Sequence, residues 1–510
     1  MIEKKKLFIG LLVLAVFIQS CDKKKDFEEV TKPEAILAED ISSFQETAMI
    51  DLGNTTAAEI SAYDAVTKKL FVVSNDGGAK VEVVDFSSYP IISKIKSISF
   101  PNNAGINSVA VHSGYLAVAL DGVNKQAEGE VVVFNTSSLE EIKRISVGAM
   151  PDMVTFTPDG NYILTANEGE PNDNYTIDPV GSISVIHVKN NFSVKTFDFS
   201  SFESSKKELQ EKGLRIFGPN ASFAQDIEPE YITVLSDSKT AYVTLQENNA
   251  IAEIDIVAGK ITKILPLGSI DHSLTENMVD FTTVNKKPEF KNWPVKSFFL
   301  PDAIANFSSG GKNYLVLANE GDTRDWSKET SEEVKVGKLN LDPVKFPNAK
   351  TLKTSENLGD LLVSKYFGDT DGDGDYDELY AFGTRSFSIV NPTNGALIAN
   401  VGRELTEKIA EAGYYDAGRA TKKGIEIEGV TIGEVNGKTL AFIGVERSDA
   451  VAVYDLSNPQ APKFVQVFAT GDAPEGLLFV RSKDSPNGRS MLIVSSEDDG
   501  TVRCYQPNKM

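Results

Sequence analysis

Cysteine and histidine are nearly absent from this chain of 510 residues, which contains two cysteines and three histidines. The histidines (His112, His187 and His272) lie far apart, which argues against a zinc hydrolase or a histidine acid–base pair. We predict that His272, in an inserted loop, is a surface residue. Neither G-x-S-x-G nor a phosphate-binding P-loop occurs. We therefore assign no catalytic residue, and an enzyme is the less favoured interpretation.

Basic residues are also scarce relative to acidic ones. Lysine and arginine number 51 against 73 aspartate and glutamate, which gives a formal net charge of −22. A surface this acidic repels nucleic-acid phosphates and attracts divalent cations. Nucleic acid is thus not expected as a partner.

The N-terminus carries a short apolar run, "LFIGLLVLAVFI", after the basic stretch "MIEKKK". The run is too short to span a membrane comfortably, and a small residue followed by Cys21 is typical of a bacterial lipoprotein signal. We predict a signal peptide over residues 1–20, lipid attached to Cys21, and a location in the bacterial cell envelope at the outer membrane or cell surface. An ordinary secretory signal is the alternative. The polar segment 21–44 is predicted to be a flexible tether.

A repeated pattern fills the rest of the chain. The phrases "TANEGE" (165–170) and "LANEGD" (317–322) both follow an apolar run, and similar stretches recur elsewhere. Each copy has short alternating strands separated by turns of Gly, Asp, Asn or Lys. Units of about 45 residues with four strands indicate a β-propeller. The sequence therefore predicts an all-β, seven-bladed propeller with inserted loops, whose copies start near residues 59, 107, 151, 229, 301, 427 and 474.

The last copy lacks a fourth strand, and an unassigned strand precedes the first copy. Its sequence "QETAMIDLG" (45–53) resembles the other fourth strands. We predict that it completes the last blade and closes the ring, so that the propeller domain spans residues 45–508. Helical patterns are confined to "SSKKELQEKG" and "RELTEKIAEAG". Cys504, left without a disulfide partner if Cys21 is lipidated, is predicted to be a small buried strand residue.

Carboxylates recur at matching positions of the copies, near the start of the first strand and after the second. Any one of them could simply cap a turn by accepting backbone N–H groups. Their repetition instead predicts an acidic funnel on one face, with three arginines beside it that pair with carboxylates or bind an anionic ligand. The candidate ligand-binding residues are Asp152, Glu168, Glu230, Glu247, Asp302, Glu320, Arg324, Arg385, Glu428, Glu446, Arg447 and Glu475.

A dense acidic loop, "GDTDGDGDYDELYAFGTRSFSIV", stands out in the sequence. Alternating carboxylates followed by glycine match the first half of a calcium loop, although Tyr380 stands where an EF-hand has its bidentate glutamate and a strand follows instead of a helix. We predict a Ca²⁺-stabilised loop without an EF-hand helix pair; a solvated acidic turn is the alternative. The candidate metal ligands are Asp369, Asp371, Asp373, Asp375 and Asp377.

Long phrases of this chain resemble the choice-of-anchor I family: "EPEYITVLSDSKTAYVTLQENNAIAEID", "YLVLANEGDTRDW" and "GDTDGDGDYDELYAFGTRSFSIV". The resemblance covers about residues 45–505. It implies a secreted or surface-anchored β-propeller and supplies no catalytic residue. Two functions are weighed: a calcium-stabilised surface propeller that binds a protein, glycan or small ligand, which we favour, and a calcium-dependent phosphoester hydrolase that uses the acidic funnel.

Overall fold

Short runs of β-branched and aromatic residues form strands through most of the chain. The computed structural model describes residues 38–325, 327 and 330–510. The predicted signal peptide (1–20), Cys21 and the tether up to residue 37 lie outside the described residues, so these predictions stay untested. Within that part of the chain no helix is long and apolar enough to cross a membrane.

Seven four-stranded antiparallel sheets account for most of the strands of the described residues. Their strand orders are β2–β5, β6–β9, β10–β13, β14–β17, β20-β21-β25-β26, β27–β30 and β1-β33-β32-β31. The all-β prediction is confirmed. The strands are β1 (Glu39–Asp51), β2 (Ser61–Asp64), β3 (Lys69–Ser74), β4 (Lys80–Asp85), β5 (Ser93–Ser99), β6 (Ile106–His112), β7 (Tyr115–Leu120), β8 (Glu128–Asn135), β9 (Glu141–Ala149), β10 (Pro151–Phe156), β11 (Tyr162–Asn167), β12 (Ser182–His187), β13 (Ser193–Asp198), β14 (Ile232–Val234), β15 (Thr240–Leu245), β16 (Ala250–Asp255), β17 (Lys260–Pro266), β18 (Ser269–Asp271), β19 (Lys296–Phe298), β20 (Ile304–Ser309), β21 (Lys312–Asn319), β22 (Glu333–Lys335), β23 (Leu362–Ser364), β24 (Tyr380–Ala381), β25 (Ser386–Val390), β26 (Leu397–Val401), β27 (Ile427–Val435), β28 (Lys438–Val445), β29 (Ala450–Asp455), β30 (Lys463–Ala469), β31 (Pro474–Val480), β32 (Met491–Ser496) and β33 (Thr501–Lys509).

Apolar side chains fill the space between successive sheets. One cluster joins the sheet β2–β5 to β6–β9, the next joins β6–β9 to β10–β13, and the pattern continues along the chain. A further cluster, which includes Leu70, Val72, Ile493 and Val502, joins the last sheet to the first. Each sheet thus has apolar layers on both faces. This explains why its middle strands, such as β3 and β4, are almost continuously buried whereas the outer strand β5 is exposed.

The first strands of the sheets contact one another in the same succession. Contacts run from β2 to β6, β10, β14, β20, β27 and β31, and β31 in turn contacts β2. The ends of these strands therefore come together in one region of the molecule, which is where the acidic residues lie.

The N-terminal strand β1 pairs antiparallel with β33, so that chain ends 450 or more residues apart lie in one sheet. It begins at Glu39, six residues before the predicted start at 45, so the predicted tether to residue 44 is too long. The reason is packing: Phe44 is only 2% exposed and meets the ring of Phe442 edge-on at 5.1 Å. Cys504, in β33, is buried, as predicted.

Insertions after β17 and β21 carry the remaining strands, β18, β19 and β22–β24, around a separate apolar cluster that contains Phe281 and Trp293. His272 in this insertion is not a surface residue, contrary to prediction. It is 3% exposed, and its ring bonds to the carbonyl of Asn277 at 2.7 Å and the hydroxyl of Ser297 at 2.9 Å. Burial lowers the pKa of His272 to about 4.

Both predicted helical segments form short helices. The α-helices are α1 (Lys206–Glu211), α2 (Phe223–Asp226), α3 (Ala349–Leu352) and α4 (Arg403–Ala412), and the 3₁₀ turns are Ser200–Ser205, Thr275–Asn277, Val336–Lys338, Ala417–Arg419 and Glu446–Ser448.

Candidate functional site: an acidic cavity

A cavity of about 240 Å³ opens where the first strands meet. Eight of the nine carboxylates predicted for the funnel line it, together with two that were not predicted. No lysine or arginine is among the described residues that line this cavity. The lining carboxylates, called here the acidic cavity, are Asp152, Glu168, Glu170, Glu230, Glu247, Asp302, Glu320, Asp322, Glu428 and Glu475.

The repeated phrases "NEGE" and "NEGD" explain four of these carboxylates. Each phrase follows the second strand of a sheet (β11 or β21) and places two acidic residues in the cavity wall, with a glycine between them. Gly321 adopts φ +96°, and a Cβ there would lie 2.5 Å from the backbone nitrogen of Gly383. Gly169 adopts φ +74°. Both positions have a positive φ, which glycine adopts without strain, and Gly321 also lacks space for a Cβ. The glycine between the two acidic residues therefore allows the chain to turn here.

Glu170 and Asp322 were missed by the sequence reasoning, which took only the first acidic residue of each phrase. The signal for them was present in the phrases themselves, since an acidic residue recurs on each side of the glycine. Asn107, the neutral member of the first-strand positions, also lines the cavity.

Crowding and burial make ionisation of these carboxylates unfavourable. Desolvation, followed by repulsion from Glu170 and Asp121, raises the pKa of Asp152 to about 7. Desolvation, followed by repulsion from Glu247, raises the pKa of Glu230 well above the usual range, and desolvation with repulsion from Glu59 does the same for Glu475.

Two lining carboxylates have a lysine partner, Glu170 with Lys125 at 3.7 Å and Asp322 with Lys423, whereas the other eight form no ion pair among the described residues. Ionisation of those eight is therefore only weakly compensated by the protein itself.

Several carboxylate oxygens in the wall also lack hydrogen-bond partners. The Oε2 atoms of Glu230, Glu247, Glu428 and Glu475 are buried, and among the described residues none donates to them. Glu230 is only 6% exposed. Buried polar atoms normally find partners, so these oxygens indicate a group that is not part of the chain.

The three predicted arginines do not line the acidic cavity. Arg324 is 1% exposed, and its guanidinium donates to Glu228 at 2.9 Å and pairs with Asp226, which holds an inserted loop against α2. Arg385 is buried over the ring of Phe281 at 4.3 Å. Both are taken up by contacts within the fold. For Arg324 this is the pairing with carboxylates that the sequence offered as one alternative.

Arg447 and Glu446 form a separate charged group next to the cavity. Arg447 pairs with Glu446 at 2.7 Å and with Glu426 at 3.4 Å, and Arg419 also pairs with Glu426. Glu446 is therefore paired with a neighbouring arginine and does not itself line the cavity.

Three of the cavity carboxylates approach closely enough to share an ion. One oxygen of each of Asp302, Glu320 and Glu428 lies within 4.8 Å of the others. Oxygen-only ligands of this kind suit hard cations such as Ca²⁺.

The predicted calcium loop contains two more such groups, Asp369/Asp371/Asp377 and Asp342/Asp375/Asp377, in each of which the ligand oxygens lie within 4.8 Å of one another. Asp373 belongs to neither group and accepts a bond from the backbone N–H of Asp375 at 3.0 Å. Asp342 was not predicted. It arrives through a parallel bridge between Leu341 and Tyr376, a long-range contact with no sequence signal.

Comparison with known proteins shows which family and which relatives the chain resembles. A family model described as "Choice-of-anchor I domain" matches residues 59–459. The chain is 25% identical over 331 residues to the mesenchyme-specific cell surface glycoprotein of Strongylocentrotus purpuratus, covering 54% of this chain and 41% of that protein. It is 25% identical over 182 residues to Gigasin-3a of Magallana gigas, covering 29% of this chain and 64% of that protein. The chain thus spans less than two thirds of either relative.

Solved structures also align along most of the chain. Hydrazine synthase of Kuenenia stuttgartiensis aligns with TM-score 0.48 and 15% identity, covering 90% of this chain and 97% of that one. The β-propeller domain of Cps50 (Swd1) from Myceliophteria thermophila aligns with TM-score 0.48 and 7% identity, covering 91% and 100%.

Proposed function

Since the chain belongs to the choice-of-anchor I domain family, we propose that it is a cell-surface β-propeller that binds a ligand through its acidic cavity and catalyses no reaction. The observation that carries this proposal is the lining itself: ten carboxylates and no basic side chain among the described residues of the wall. Such a wall repels anions and favours a ligand that presents positive charge. A protein, a glycan with bound cations, or a small cationic molecule would meet that requirement.

The ring that forms the cavity has, in this proposal, seven blades and is closed by β1. Two observations support it: the first strands contact one another in a circle, and apolar clusters join each sheet to the next, including the last to the first. Pairing of β1 with β33 removes an open edge that would otherwise invite aggregation.

Anchoring at the cell envelope would come from lipid on Cys21. The basic and apolar stretches before this cysteine support it, and several acyl chains hold a protein stably at a membrane where one does not. Residues up to 37 would then separate the propeller from the membrane surface.

Calcium would stabilise the Asp-rich loop. Its carboxylates hydrogen-bond to neighbouring backbone groups, as Asp369 does to the N–H of Gly372 at 2.7 Å, yet they leave several charges adjacent. Desolvation and then repulsion from Asp373 and Asp342 raise the pKa of Asp375. A hard cation would relieve that repulsion.

The second candidate is a calcium-dependent phosphoester hydrolase. The close approach of Asp302, Glu320 and Glu428 favours it, because bound metal could both hold a phosphate and activate water. The lack of lysine or arginine in the described wall counts against it, since phosphate sites generally use such side chains.

Binding can be tested with a fluorescent lysine-rich peptide by anisotropy in metal-free buffer. The double variant Glu230→Gln/Glu475→Gln replaces two cavity carboxylates by amides, and Glu356→Gln/Glu434→Gln replaces two exposed carboxylates elsewhere as a matched control. We expect the cavity variant to bind at least about tenfold more weakly than wild type, a difference of about 1.4 kcal/mol, and the control to bind normally. Equal loss in both variants would mean non-specific attraction and refute the proposal.

A phosphatase assay tests the second candidate function, the calcium-dependent hydrolase. Calcium-dependent hydrolysis of an aryl phosphate by wild type, lost in Glu320→Gln, would establish the hydrolase in place of a binding protein.

A further inference from the structure

Three carboxylates that belong to two adjacent sheets approach one another within the acidic cavity. Asp302 precedes β20 and Glu320 follows β21 of one sheet, whereas Glu428 lies in β27 of the next. One oxygen of each lies within 4.8 Å of the others. Three ionised carboxylates at that separation repel strongly unless a cation lies between them.

No ion pair neutralises this trio in the described part of the chain. Lys423 lies near enough to favour the charged form of Glu320, but it is itself paired with Asp322. Arg447 lies near enough to favour the charged form of Glu428, but it is itself paired with Glu446 and Glu426. Glu320 accepts one bond, from the side-chain amide of Gln246 at 2.8 Å, which is uncharged.

The nearby trio Glu320, Glu426 and Glu446 provides a contrast within the same structure. There Arg419 pairs with Glu426, and Arg447 bridges Glu426 and Glu446. This second trio, which shares Glu320 with the first, has its counter-ions built in. The other does not, and faces the cavity.

A second, independent observation points to a ligand in the cavity wall that contains this trio. The Oε2 of Glu428 is buried without a hydrogen-bond donor, and so is the Oε2 of Glu230 in the same wall. Glu230 is more than nine-tenths buried, since only 6% of its surface is exposed. An oxygen in that position gains no bond from the described protein, and a bound cation with its waters would supply one.

We propose that Asp302, Glu320 and Glu428 bind a hard divalent cation, Ca²⁺, which links two adjacent sheets at the floor of the acidic cavity. The ligand type selects the metal class: the described cavity wall offers carboxylate oxygens and neither histidine nor cysteine. Three carboxylates supply three to six of the six to eight oxygens that Ca²⁺ takes, so room is left for water or a ligand oxygen. This inference rests on the proposed function for the location of the site and extends it by naming the ligand class.

Terbium luminescence can locate the ion, because Tb³⁺ occupies oxygen-rich calcium sites and emits when a nearby tyrosine is excited. Tyr231 lines the cavity. The purified full-length protein is used in an Asp371→Ala/Asp377→Ala background, because Asp377 belongs to both candidate groups of the Asp-rich loop, so that the loop and its own Tyr376 do not contribute. We expect tyrosine-sensitised emission that added Ca²⁺ displaces.

Two further changes in that background test the assignment. Asp302→Asn/Glu428→Gln should lower calcium affinity by at least about tenfold in titration calorimetry and abolish the emission. Tyr231→Phe should reduce the emission while leaving calcium affinity unchanged. Melting in EDTA checks the fold, and the Asn/Gln variant should melt no lower than its parent because like-charge repulsion is removed.

Unchanged calcium affinity in Asp302→Asn/Glu428→Gln would overturn the site, and so would the absence of calcium-displaceable emission in the parent. The probe is the metal alone, so the outcome is separate from peptide binding. Peptide binding without a metal site would refute this inference and leave the proposed function standing. A metal site without peptide binding would support this inference and refute the proposed function.

Discussion

The packing of β1 gives the sharpest test of the fold, through the substitution Phe44→Ala. Phe44 is 2% exposed and packs edge-on against Phe442 of the neighbouring sheet. Its backbone N–H and C=O also bond to the side-chain amide of Gln466, at 2.9 and 2.8 Å. Alanine keeps those backbone bonds, so the substitution removes only the apolar contacts between β1 and the sheet β27–β30.

The expected loss follows from the burial. Removing a fully buried phenylalanine costs about 3–5 kcal/mol in the free energy of unfolding, because apolar contact is lost and a cavity is left. Met49, on the same strand, is 47% exposed, and Met49→Ala should cost no more than about 0.5 kcal/mol. Unfolding a chain of this size releases an entropy of roughly 1 kcal/mol/K, so the midpoint for Phe44→Ala should fall by only about 3–5 °C.

Urea unfolding followed by circular dichroism is therefore the better assay, because it resolves differences in free energy directly. We expect Phe44→Ala to unfold at a clearly lower urea concentration than wild type and Met49→Ala to match wild type. If the two variants unfold alike, β1 is not packed in the core, and the closure of the ring by this strand is refuted.

Three other outcomes are expected. Cys21→Ala should move the protein from the membrane fraction to the soluble fraction on cell fractionation, because lipid is its proposed anchor; continued membrane association would indicate another anchor. Asp371→Ala/Asp377→Ala, which removes a ligand from both candidate groups of the Asp-rich loop, should abolish the stabilisation of that loop by millimolar Ca²⁺, on the order of 1 kcal/mol for binding at 10⁻⁴–10⁻³ M, whereas identical melting of wild type in EDTA and Ca²⁺ would exclude calcium there. Glu59→Gln should flatten the pH dependence of stability: desolvation raises the pKa of Glu59 to about 7, against bonds from Asn75 that lower it. The folded state then holds a proton that the unfolded state releases above about pH 4.5, so wild-type stability falls as pH rises from about 4.5 to 7, by on the order of 2 kcal/mol for this group. Unfolding free energies of both proteins at pH 5 and 7.5 in EDTA give the comparison, and an unchanged slope in Glu59→Gln would contradict the assignment.

The repeats explain why so much of the site was predictable. In a repeat fold, equivalent positions in successive copies come to equivalent places in space, so a residue type that recurs in sequence also recurs around one point. Eight predicted carboxylates meet in one cavity for this reason, including Asp152 and Glu475, which are more than 300 positions apart.

Residues outside the repeat pattern could not be placed in this way. Arg324 and Arg385 lie in and after the insertion that follows β21, and their partners Asp226 and Phe281 come from other insertions. Asp342 reaches the Asp-rich loop through one bridge between inserted segments. Contacts of this kind depend on how two irregular segments pack, and no periodicity encodes them.

Asn107 shows that the first-strand position does not need a charge in order to fold. It occupies the place of the recurring carboxylates, lines the same cavity, and its amide donates to Asp121 at 3.0 Å and to the carbonyl of Pro151 at 3.2 Å. A neutral side chain therefore packs there with its hydrogen bonds made. The carboxylates at the equivalent positions of other sheets, such as Glu230 and Glu475, have one buried oxygen without a hydrogen-bond donor and have raised pKa values, and so they cost stability that an amide would not. The cationic ligand that we propose for the acidic cavity would account for side chains that weaken the fold where a neutral one would serve.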